Sequence, residues 1–206
     1  MALGSYYSCI IDNLNDMWCF GSNNYGQLGL GDNSDRNTPT IVPSLSPSTG
    51  SSSFAVQIAC GYSHTCVVDN FNDVKCFGAN FAGQLGDGTN TNRSSPTTIS
   101  LGSDSSYAKQ IALGSYHSCA IDSLDQVKFW GLNDYGQLGD GTTITRRYTP
   151  TINSLAAFAV QISLAHEHTC AFDNLGFLQC WGRNNYGLLG DGTISNRLTP
   201  TNVQNL

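Results

Sequence analysis

The sequence predicts an all-β protein made of four copies of one short antiparallel unit. First, a glycine-rich string recurs four times, beginning at Cys19, Cys76, Phe129 and Cys180, and such self-similarity indicates a repeat architecture. Second, apolar and polar residues alternate before each string, which is typical of half-buried strands. Third, the strings are rich in Gly, Asn and Asp, the residues that tolerate positive φ and form tight turns.

The third unit shows the order of elements in each copy. "AKQIALG" and "HSCAIDS" read as two short strands, "LDQ" as a turn, and "VKFWG" as a third strand that ends at Gly131. "YTPTI" closes the unit, and its proline suits an edge strand or a strand start. About four short strands per unit, without helical periodicity, are typical of propeller blades. We expect one domain over 1–206, with units at 1–42, 54–99, 107–152 and 158–203.

The glycine-rich string favours architecture over chemistry, because an active site is normally needed only once. A phosphate loop would need a lysine after the glycines and a following helix. A calcium loop would need several converging carboxylates, and "DGTNTN" at 87–92 has one. We expect the repeated asparagines to form turns through their side chains and the repeated leucines to be buried between units. These residues are Asn23, Asn80, Asn133 and Asn184, and Leu28, Leu85, Leu138 and Leu189.

Histidine recurs at one position of the unit, in His64, His117 and His168, and Tyr7 takes that place in the first copy. Repetition favours a buried structural histidine that hydrogen-bonds the backbone of a neighbouring strand. His166 and His168 could bind a metal from one strand face, but no third ligand is evident at a suitable spacing. No Ser-His-Asp or Cys-His pair stands out, and nucleophilic catalysis needs a unique activated residue. We therefore predict no enzyme activity, no cofactor and no metal.

Cysteine spacing predicts three disulfides. Two strands joined by a three-residue loop place positions ten apart opposite each other, within reach of a disulfide. The pairs are Cys9–Cys19, Cys66–Cys76 and Cys170–Cys180. In the third unit Cys119 faces Phe129 instead, and a Cys60–Cys119 bond is a further possibility. Disulfides favour an extracellular or cell-surface location, whereas eight reduced, buried thiols in the cytoplasm are the alternative.

Composition disfavours several classes of partner. The 206 residues carry nine Lys and Arg against fifteen Asp and Glu, a formal net charge of -6. Nucleic acids and anionic membranes are bound by clustered Lys and Arg, and the sequence has no basic run. No apolar run approaches the roughly 20 residues of a membrane span. We expect protein partners, no nucleic acid and no membrane insertion.

The repeated residues resemble a known family. The pattern G-x-x-H-[TS]-C-x-x-D, followed by C-[WF]-G-x-N-x-[YF]-G-Q-L-G-D-G-T and R-x-x-P, resembles the RCC1 (regulator of chromosome condensation) repeat from Ala2 to Leu206. The doubled-cysteine form, with "HTC" and "CWG", is most similar to the bacterial and extracellular branch of that family. The resemblance implies the blades of an RCC1-type β-propeller, which has seven blades.

Four repeats are fewer than the family implies, and the chain begins and ends inside a unit. Because propellers avoid long exposed edges, three arrangements stay open. The chain is a fragment of a longer parent with missing blades, or two or more chains complete a ring, or units stack head to tail in an open assembly. We expect Leu3, Ile10, Leu28 and the residues around Leu189 to Pro200 to contribute to contacts beyond this chain.

A variable loop position predicts a binding face. After the glycine or alanine that ends the first strand come two residues that differ between copies, and tyrosine there suits a protein interface. The candidates are Tyr6, Tyr62, Tyr116, His166 and Glu167. A second set varies little and is expected to pack or to make contacts between blades: Tyr25, Phe81, Tyr135 and Tyr186.

These observations predict a non-enzymatic protein-binding or assembly module, part of a larger or oligomeric extracellular or surface protein. The family leaves two alternatives, a guanine-nucleotide exchange factor-like regulator, as its founding member is, and a carbohydrate-binding or enzymatic propeller. The acidic charge fits chromatin poorly. Light sensing, which the plant ultraviolet receptors of the family perform with tryptophan-rich repeats, is disfavoured because only Trp18, Trp130 and Trp181 are present.

Overall fold

The computed structural model describes residues 1–102, 107–144, 146–153 and 159–204. They form four sheets, each of four antiparallel strands in chain order, and two short 3-10 turns at Pro43–Leu45 and Pro47–Thr49. The predicted all-β class and RCC1-type blades are confirmed. The predicted start of the fourth unit, at 158, lies outside the described residues.

All four blades have the same strand order. Blade 1 contains β1 (Ala2–Leu3), β2 (Tyr7–Ile11), β3 (Met17–Gly21) and β4 (Arg36–Ile41). Blade 2 contains β5 (Ala55–Cys60), β6 (His64–Asp69), β7 (Val74–Gly78) and β8 (Arg93–Ile99). Blade 3 contains β9 (Ala108–Leu113), β10 (His117–Asp122), β11 (Val127–Leu132) and β12 (Arg146–Ile152). Blade 4 contains β13 (Ala159–Leu164), β14 (His168–Asp173), β15 (Leu178–Gly182) and β16 (Arg197–Asn202). The first strands of successive blades contact one another, so they line an axis around which the blades form an open arc.

A carboxylate holds each hairpin between the second and third strands. In blade 3, Asp122 Oδ1 accepts the N–H groups of Leu124 and Gln126, both at 2.9 Å. The turn also places Asp125 in the left-handed region, with φ of 60°. The equivalent carboxylates are Asp12, Asp69 and Asp173. The same three-residue turn therefore sets the register of every hairpin.

The repeated asparagines organise the glycine-rich turns, as predicted. Asn80 Oδ1 accepts the N–H of Leu85 at 3.0 Å, and Asn80 Nδ2 donates to Asp87 Oδ1 at 3.0 Å. The predicted burial is confirmed for all four leucines: Leu28, Leu85, Leu138 and Leu189. For the same reason, the expectation that Leu28 contributes to contacts beyond the chain is wrong, since its side chain has no exposed surface. The same expectation for Leu3, Ile10 and the residues around Leu189 to Pro200 stays a prediction.

The aspartate that a calcium loop would need for the metal forms an ion pair with an arginine instead. Asp87 Oδ2 lies 2.7 Å from Arg93. Blades 3 and 4 repeat this pair in Asp140–Arg147 and Asp191–Arg197. Blade 1 has Leu30 at the aspartate position, yet Asp32, two residues later, pairs with Arg36 at 2.6 Å. The turn therefore keeps its ion pair even where the motif is broken.

The three predicted disulfides are present. In Cys9–Cys19, Cys66–Cys76 and Cys170–Cys180 the Cα atoms are 4.2, 4.1 and 4.1 Å apart. The possible Cys60–Cys119 bond does not form, and both thiols are free. Cys60 packs against the hydrophobic cluster between blades 1 and 2, whereas Cys119 belongs to the cluster between blades 3 and 4 and faces Phe129. Burial raises the pKa of both thiols, that of Cys60 to about 11.

Large aromatic side chains near the end of the third strands fill the space between blades. Three of them are fully buried: Phe77, Trp130 and Trp181. Each packs on a glycine of the preceding blade, where a Cβ would approach the ring to 2.8 Å at Gly29, 2.9 Å at Gly86 and 2.6 Å at Gly139. Only glycine permits this approach. The hydrophobic core is accordingly a series of interfaces between neighbouring blades.

Candidate protein-binding face

Four rings predicted for the binding face form a continuous row at one end of the blades. The Tyr62 ring centroid lies 5.9 Å from that of Tyr6 and 5.6 Å from that of Tyr116. The Tyr116 centroid lies 6.0 Å from that of His166. Ring pairs at about 4.5–7 Å attract one another beyond their area burial. We call these four rings the aromatic arc; each comes from a different blade, so the arc crosses all three boundaries between blades.

Tight loops between the first and second strands place the arc. Gly61 N–H donates to His64 O at 2.8 Å and closes the loop that carries Tyr62. Neighbouring loops touch through their backbones, since a Cβ on Gly114 would lie 2.4 Å from Ala165 O. The rings therefore meet although they occupy different positions in their loops. Tyr62 is the first of the two variable residues of its loop, whereas Tyr116 is the second of its own.

The second set of rings extends the arc outwards. The Phe81 centroid lies 6.4 Å from that of Tyr25 and 5.4 Å from that of Tyr116, so the expected contacts between blades are confirmed for these rings. Of the two predicted roles, burial by packing does not apply to three members of the set: Tyr25 is 41% exposed, Phe81 44% and Tyr186 84%, whereas Tyr135 is half-buried. Gly26, Gly83 and Gly136 in the same turns are what meet the next blade, whereas the Tyr25 and Phe81 rings stay on the surface.

Glu167, the carboxylate among the predicted binding-face residues, is paired within the chain. Glu167 forms an ion pair with Arg183, and the Arg183 guanidinium lies 4.9 Å from the Tyr135 ring centroid, a cation–π distance. The hydrogen bond from Arg183 to Glu167 raises the pKa of the arginine. Burial, together with nearby acidic groups that include Glu167, raises the pKa of Tyr116. At neutral pH the arc therefore offers uncharged phenol hydroxyls beside a neutralised carboxylate.

A shallow depression of about 260 Å³ opens at the axis beside the arc. Its wall repeats the same position in every blade: Leu3, Cys60, Leu113 and Leu164. Small-molecule sites enclose roughly 300–1,000 Å³ and bury most of their ligand. This depression is smaller and open, so it suits a side chain projecting from a docked protein.

A row of buried hydrogen bonds supports the arc from below. His64 Nε2 lies 3.0 Å from Ser118 Oγ, and that hydroxyl donates to Gln84 O at 2.8 Å. The same contact recurs between His117 and Thr169 at 3.1 Å, and between Tyr7 and Thr65 at 3.0 Å. Because the serine hydroxyl donates its proton to the carbonyl, His64 must carry a proton on Nε2. Burial lowers the pKa of His64 and His117 to about 3, so both are neutral.

The histidine partner differs from the prediction. The buried structural role is confirmed for His64 and His117, but the partner is a side-chain hydroxyl of the next blade rather than strand backbone. A signal for this was available, since a serine or threonine follows the ring residue in every copy. What could not be read from one sequence is that the hydroxyl faces the preceding blade.

Neither a metal site nor a membrane-spanning helix is found in the described ranges. Among those residues, no three His, Cys, Asp or Glu side chains are grouped so as to hold a metal ion. Likewise, none of the helical turns described there is long and apolar enough to cross a membrane. The absence of a cofactor stays a prediction.

Known proteins match the chain along most of its length. The family model described as "Regulator of chromosome condensation (RCC1) repeat" matches residues 15–68, 73–121, 126–172 and 176–206. The chain is 34% identical over 191 residues to the ultraviolet-B receptor UVR8 of Arabidopsis thaliana, covering 91% of this chain and 42% of the receptor. It is 35% identical over 139 residues to the X-linked retinitis pigmentosa GTPase regulator of Homo sapiens, covering 68% of this chain and 13% of that protein.

Solved structures share the fold. Prp20p of Saccharomyces cerevisiae superposes with a TM-score of 0.84 at 21% identity, covering 100% of this chain and 50% of Prp20p. The chain thus spans half or less of the length of each of these three proteins. The repeated motif, the strand order of the blades and the family match agree with one another, and the chain belongs to the RCC1 repeat family.

Proposed function

We propose that this chain is a non-enzymatic protein-binding module whose partner docks on the aromatic arc. The observation that carries the proposal is the unbroken row of rings from Tyr6 to His166, widened by Tyr25 and Phe81. Tyrosine supplies a large contact area at little cost in conformational entropy, and contiguous exposed apolar surface marks interaction sites. The buried hydrogen bonds below the arc hold it in a preformed shape, which lowers the cost of binding.

Relatives support protein as the class of partner. Prp20p has binding properties toward Gsp1p and histones. For the present chain the arc itself indicates the chemistry of the partner. Because the phenols are neutral and Glu167 is already paired with Arg183, we expect a partner that brings apolar and hydrogen-bonding groups rather than a cluster of charge.

The double substitution Tyr62→Ser and Tyr116→Ser tests the docking face. It removes the two central rings, and we expect at least a tenfold loss of affinity for a partner captured by the unaltered chain, as for residues at the centre of an interface. Phe71→Ser is the matched control, because Phe71 is 58% exposed at a hairpin tip on the opposite end of the blade. A partner that binds the double variant as tightly as the unaltered chain would rule out the arc as the docking face.

We further propose that the module works outside the cytoplasm, within a larger or oligomeric protein. Its three disulfides support an oxidising compartment. The test is alkylation of protein that has been isolated from its host without reductant and then unfolded. Two thiols, Cys60 and Cys119, should react; reaction of all eight cysteines would refute the extracellular location.

A further inference from the structure

Blade 2 carries the one Asn-X-Ser/Thr sequence of the chain, at Asn92-Arg93-Ser94. Such a sequence, with any middle residue except proline, is the acceptor for N-linked glycosylation in secreted proteins. We propose that the amide of Asn92 carries an N-linked oligosaccharide beside the aromatic arc. The inference rests on the proposed extracellular location, because this sugar is attached along the secretory route, but it does not depend on which partner docks on the arc.

The acceptor lies on the surface, at the outer edge of its blade. Asn92 is exposed, as are Asn90 and Thr91 before it. It directly precedes β8, which is the outermost strand of blade 2. An oligosaccharide is bulky and hydrophilic, so the residue that carries it must lie in solvent. Position 92 meets this requirement in the folded chain.

Within the described part of the chain, the Asn92 side chain is held by its oxygen alone. Asn92 Oδ1 accepts the N–H of Asn80 at 2.8 Å, whereas Nδ2 makes no hydrogen bond there. In blade 1 the carboxylate of Asp35 accepts the equivalent N–H, that of Asn23, at 2.7 Å. The turn therefore needs an oxygen at this position but no amide nitrogen. A glycosylated amide keeps its carbonyl oxygen, so the sugar and the turn are compatible.

Packing between blades does not account for the hydroxyl of Ser94. Ser94 accepts a hydrogen bond through its backbone carbonyl, and its hydroxyl makes none among the described residues. At the other two interfaces the equivalent residues are Tyr148 and Leu198. Their side chains meet the preceding blade, since a Cβ on Gly83 would lie 2.8 Å from Tyr148 and a Cβ on Gly136 2.5 Å from Leu198. Those interfaces take a large side chain here, whereas the acceptor sequence needs a hydroxyl.

The acceptor lies near the outer end of the arc. Gly26 follows Tyr25 in the chain, and a Cβ on Gly26 would lie 2.4 Å from Ser94 Cα. Asn92 is two residues before this contact, so it lies close to the turn of blade 1 that carries the Tyr25 ring. The attached sugar therefore borders the docking face at its outer end.

The modification is a transfer of a glycosyl group to nitrogen. Asn92 Nδ2 forms a bond to C1 of an oligosaccharide that is carried on a lipid diphosphate, and the bond from C1 to the diphosphate oxygen breaks. The diphosphate leaves with the electron pair of that bond, and the nitrogen gives up one of its two protons. A transferase of the host supplies the donor and recognises the Ser94 hydroxyl, so this chain contributes only the acceptor.

Mass spectrometry of the chain isolated from its host tests the site. The intact mass should exceed that of the polypeptide by one oligosaccharide, and peptide-N-glycosidase should remove the excess. This enzyme cleaves the bond to the amide and leaves a carboxylate, so the modified position can be read from the peptide that contains residue 92. A peptide in which Asn92 is unmodified before the enzyme is added would overturn the proposal.

Substitutions that keep the fold assign the sugar to this residue. Asn92→Asp retains the oxygen that accepts the Asn80 N–H, as Asp35 does in blade 1, and Ser94→Ala removes only the hydroxyl. Both variants should lose the sugar, whereas Ser94→Thr should keep it. Asn196→Asp is the matched control, because Asn196 accepts the equivalent N–H of blade 4 at 2.9 Å but lies outside an acceptor sequence. Sugar that persists in Asn92→Asp would overturn the assignment.

Two further readouts separate this inference from the proposed function. Two reactive thiols together with an unmodified Asn92 would support the extracellular location and contradict the glycosylation. Eight reactive thiols with an unmodified Asn92 would refute both. The variant lacking Tyr62 and Tyr116 should keep the sugar, because neither ring belongs to the acceptor sequence. Loss of partner binding in that variant therefore reports on the docking face alone.

Discussion

Tyrosine and histidine have the same structural role at one repeated position. Tyr7 reaches Thr65 of the next blade as His64 reaches Ser118, and each ring lies against the glycine that opens its loop. The position thus requires a ring with a polar atom at the far end, and the ability to titrate is incidental. That incidental property has a measurable consequence for stability.

The free energy of unfolding should fall as pH drops below 6.5. His64 and His117 have a pKa of about 3 when folded against roughly 6.5 when unfolded, so the unfolded chain binds more protons between these values. Each histidine should cost about 1.4 kcal/mol per pH unit inside that window. Urea unfolding at several pH values above about 4.5 measures this slope before carboxylates, which titrate near 4 when unfolded, contribute.

The variant His64→Tyr with His117→Tyr is the control for that slope. It copies the natural residue of blade 1, so we expect it to fold and to lose most of the pH dependence. His168, whose pKa burial also lowers, remains and should leave a shallower slope. A double variant as sensitive to acid as the unaltered chain would show that other groups control acid unfolding.

At the scale of elements, each hairpin depends on one aspartate, but the four aspartates are not equally placed. Asp69 Oδ1 accepts two turn N–H groups, and its Oδ2 accepts Lys75 Nζ at 2.7 Å and Ser53 Oγ at 2.9 Å. Asp173 makes the same two turn bonds, at 2.9 Å, but no ion pair is described for it. Comparing variants of Asp69 and Asp173 therefore separates the stability contributed by the turn hydrogen bonds from that contributed by the ion pair.

Asp69→Ala should destabilise the chain more than Asp173→Ala. Loss of the two turn bonds should cost about 1–3 kcal/mol in either variant. Asp69→Ala also removes the carboxylate that pairs with Lys75, which keeps only the hydrogen bond to Ser53 Oγ, and loss of this charged contact should add about 1–3 kcal/mol. Chemical denaturation of the two variants measures the difference. Equal losses would mean that the ion pair with Lys75 contributes nothing beyond the turn.

At the scale of the whole molecule, backbone contacts at glycines limit how closely neighbouring blades approach each other. A Cβ on Gly26 would lie 2.4 Å from Ser94 Cα, which is a backbone atom that cannot rotate away. Repeat proteins derive their stability from such contacts between neighbouring units. Substitutions at these glycines should therefore act on the whole chain rather than on one turn.

Gly26→Ala should destabilise the chain more than Gly176→Ala. Both glycines have a positive φ, 81° and 86°, so both variants carry the left-handed strain of about 1–2 kcal/mol. Only Gly26→Ala also forces blade 2 away, which should add roughly 1–3 kcal/mol as overpacking does. Urea midpoints of the two variants give the comparison. Similar midpoints would show that the interface between blades 1 and 2 accommodates the added methyl group without further loss of stability.

The sequence by itself determined the features that depend on neighbours along the chain. The strand order of a blade, the asparagine turns and the register that pairs Cys66 with Cys76 all arise within one repeat, where alternation, glycine and loop length decide the geometry. The choice of Tyr6, Tyr62 and Tyr116 as one group also came from repeat position alone. Their role in binding stays a prediction.

Only the tertiary structure decided what happens between blades. It brought four rings from four loops into one arc, left Tyr25 and Phe81 on the surface, and gave His64 a hydroxyl partner from the next blade. These contacts join residues about fifty positions apart, so their geometry depends on how closely and at what angle one blade packs on the next. Glycine contacts such as Gly26 on Ser94 allow this close packing; the glycines recur visibly in the sequence, but the residues of the next blade that they meet cannot be read from it.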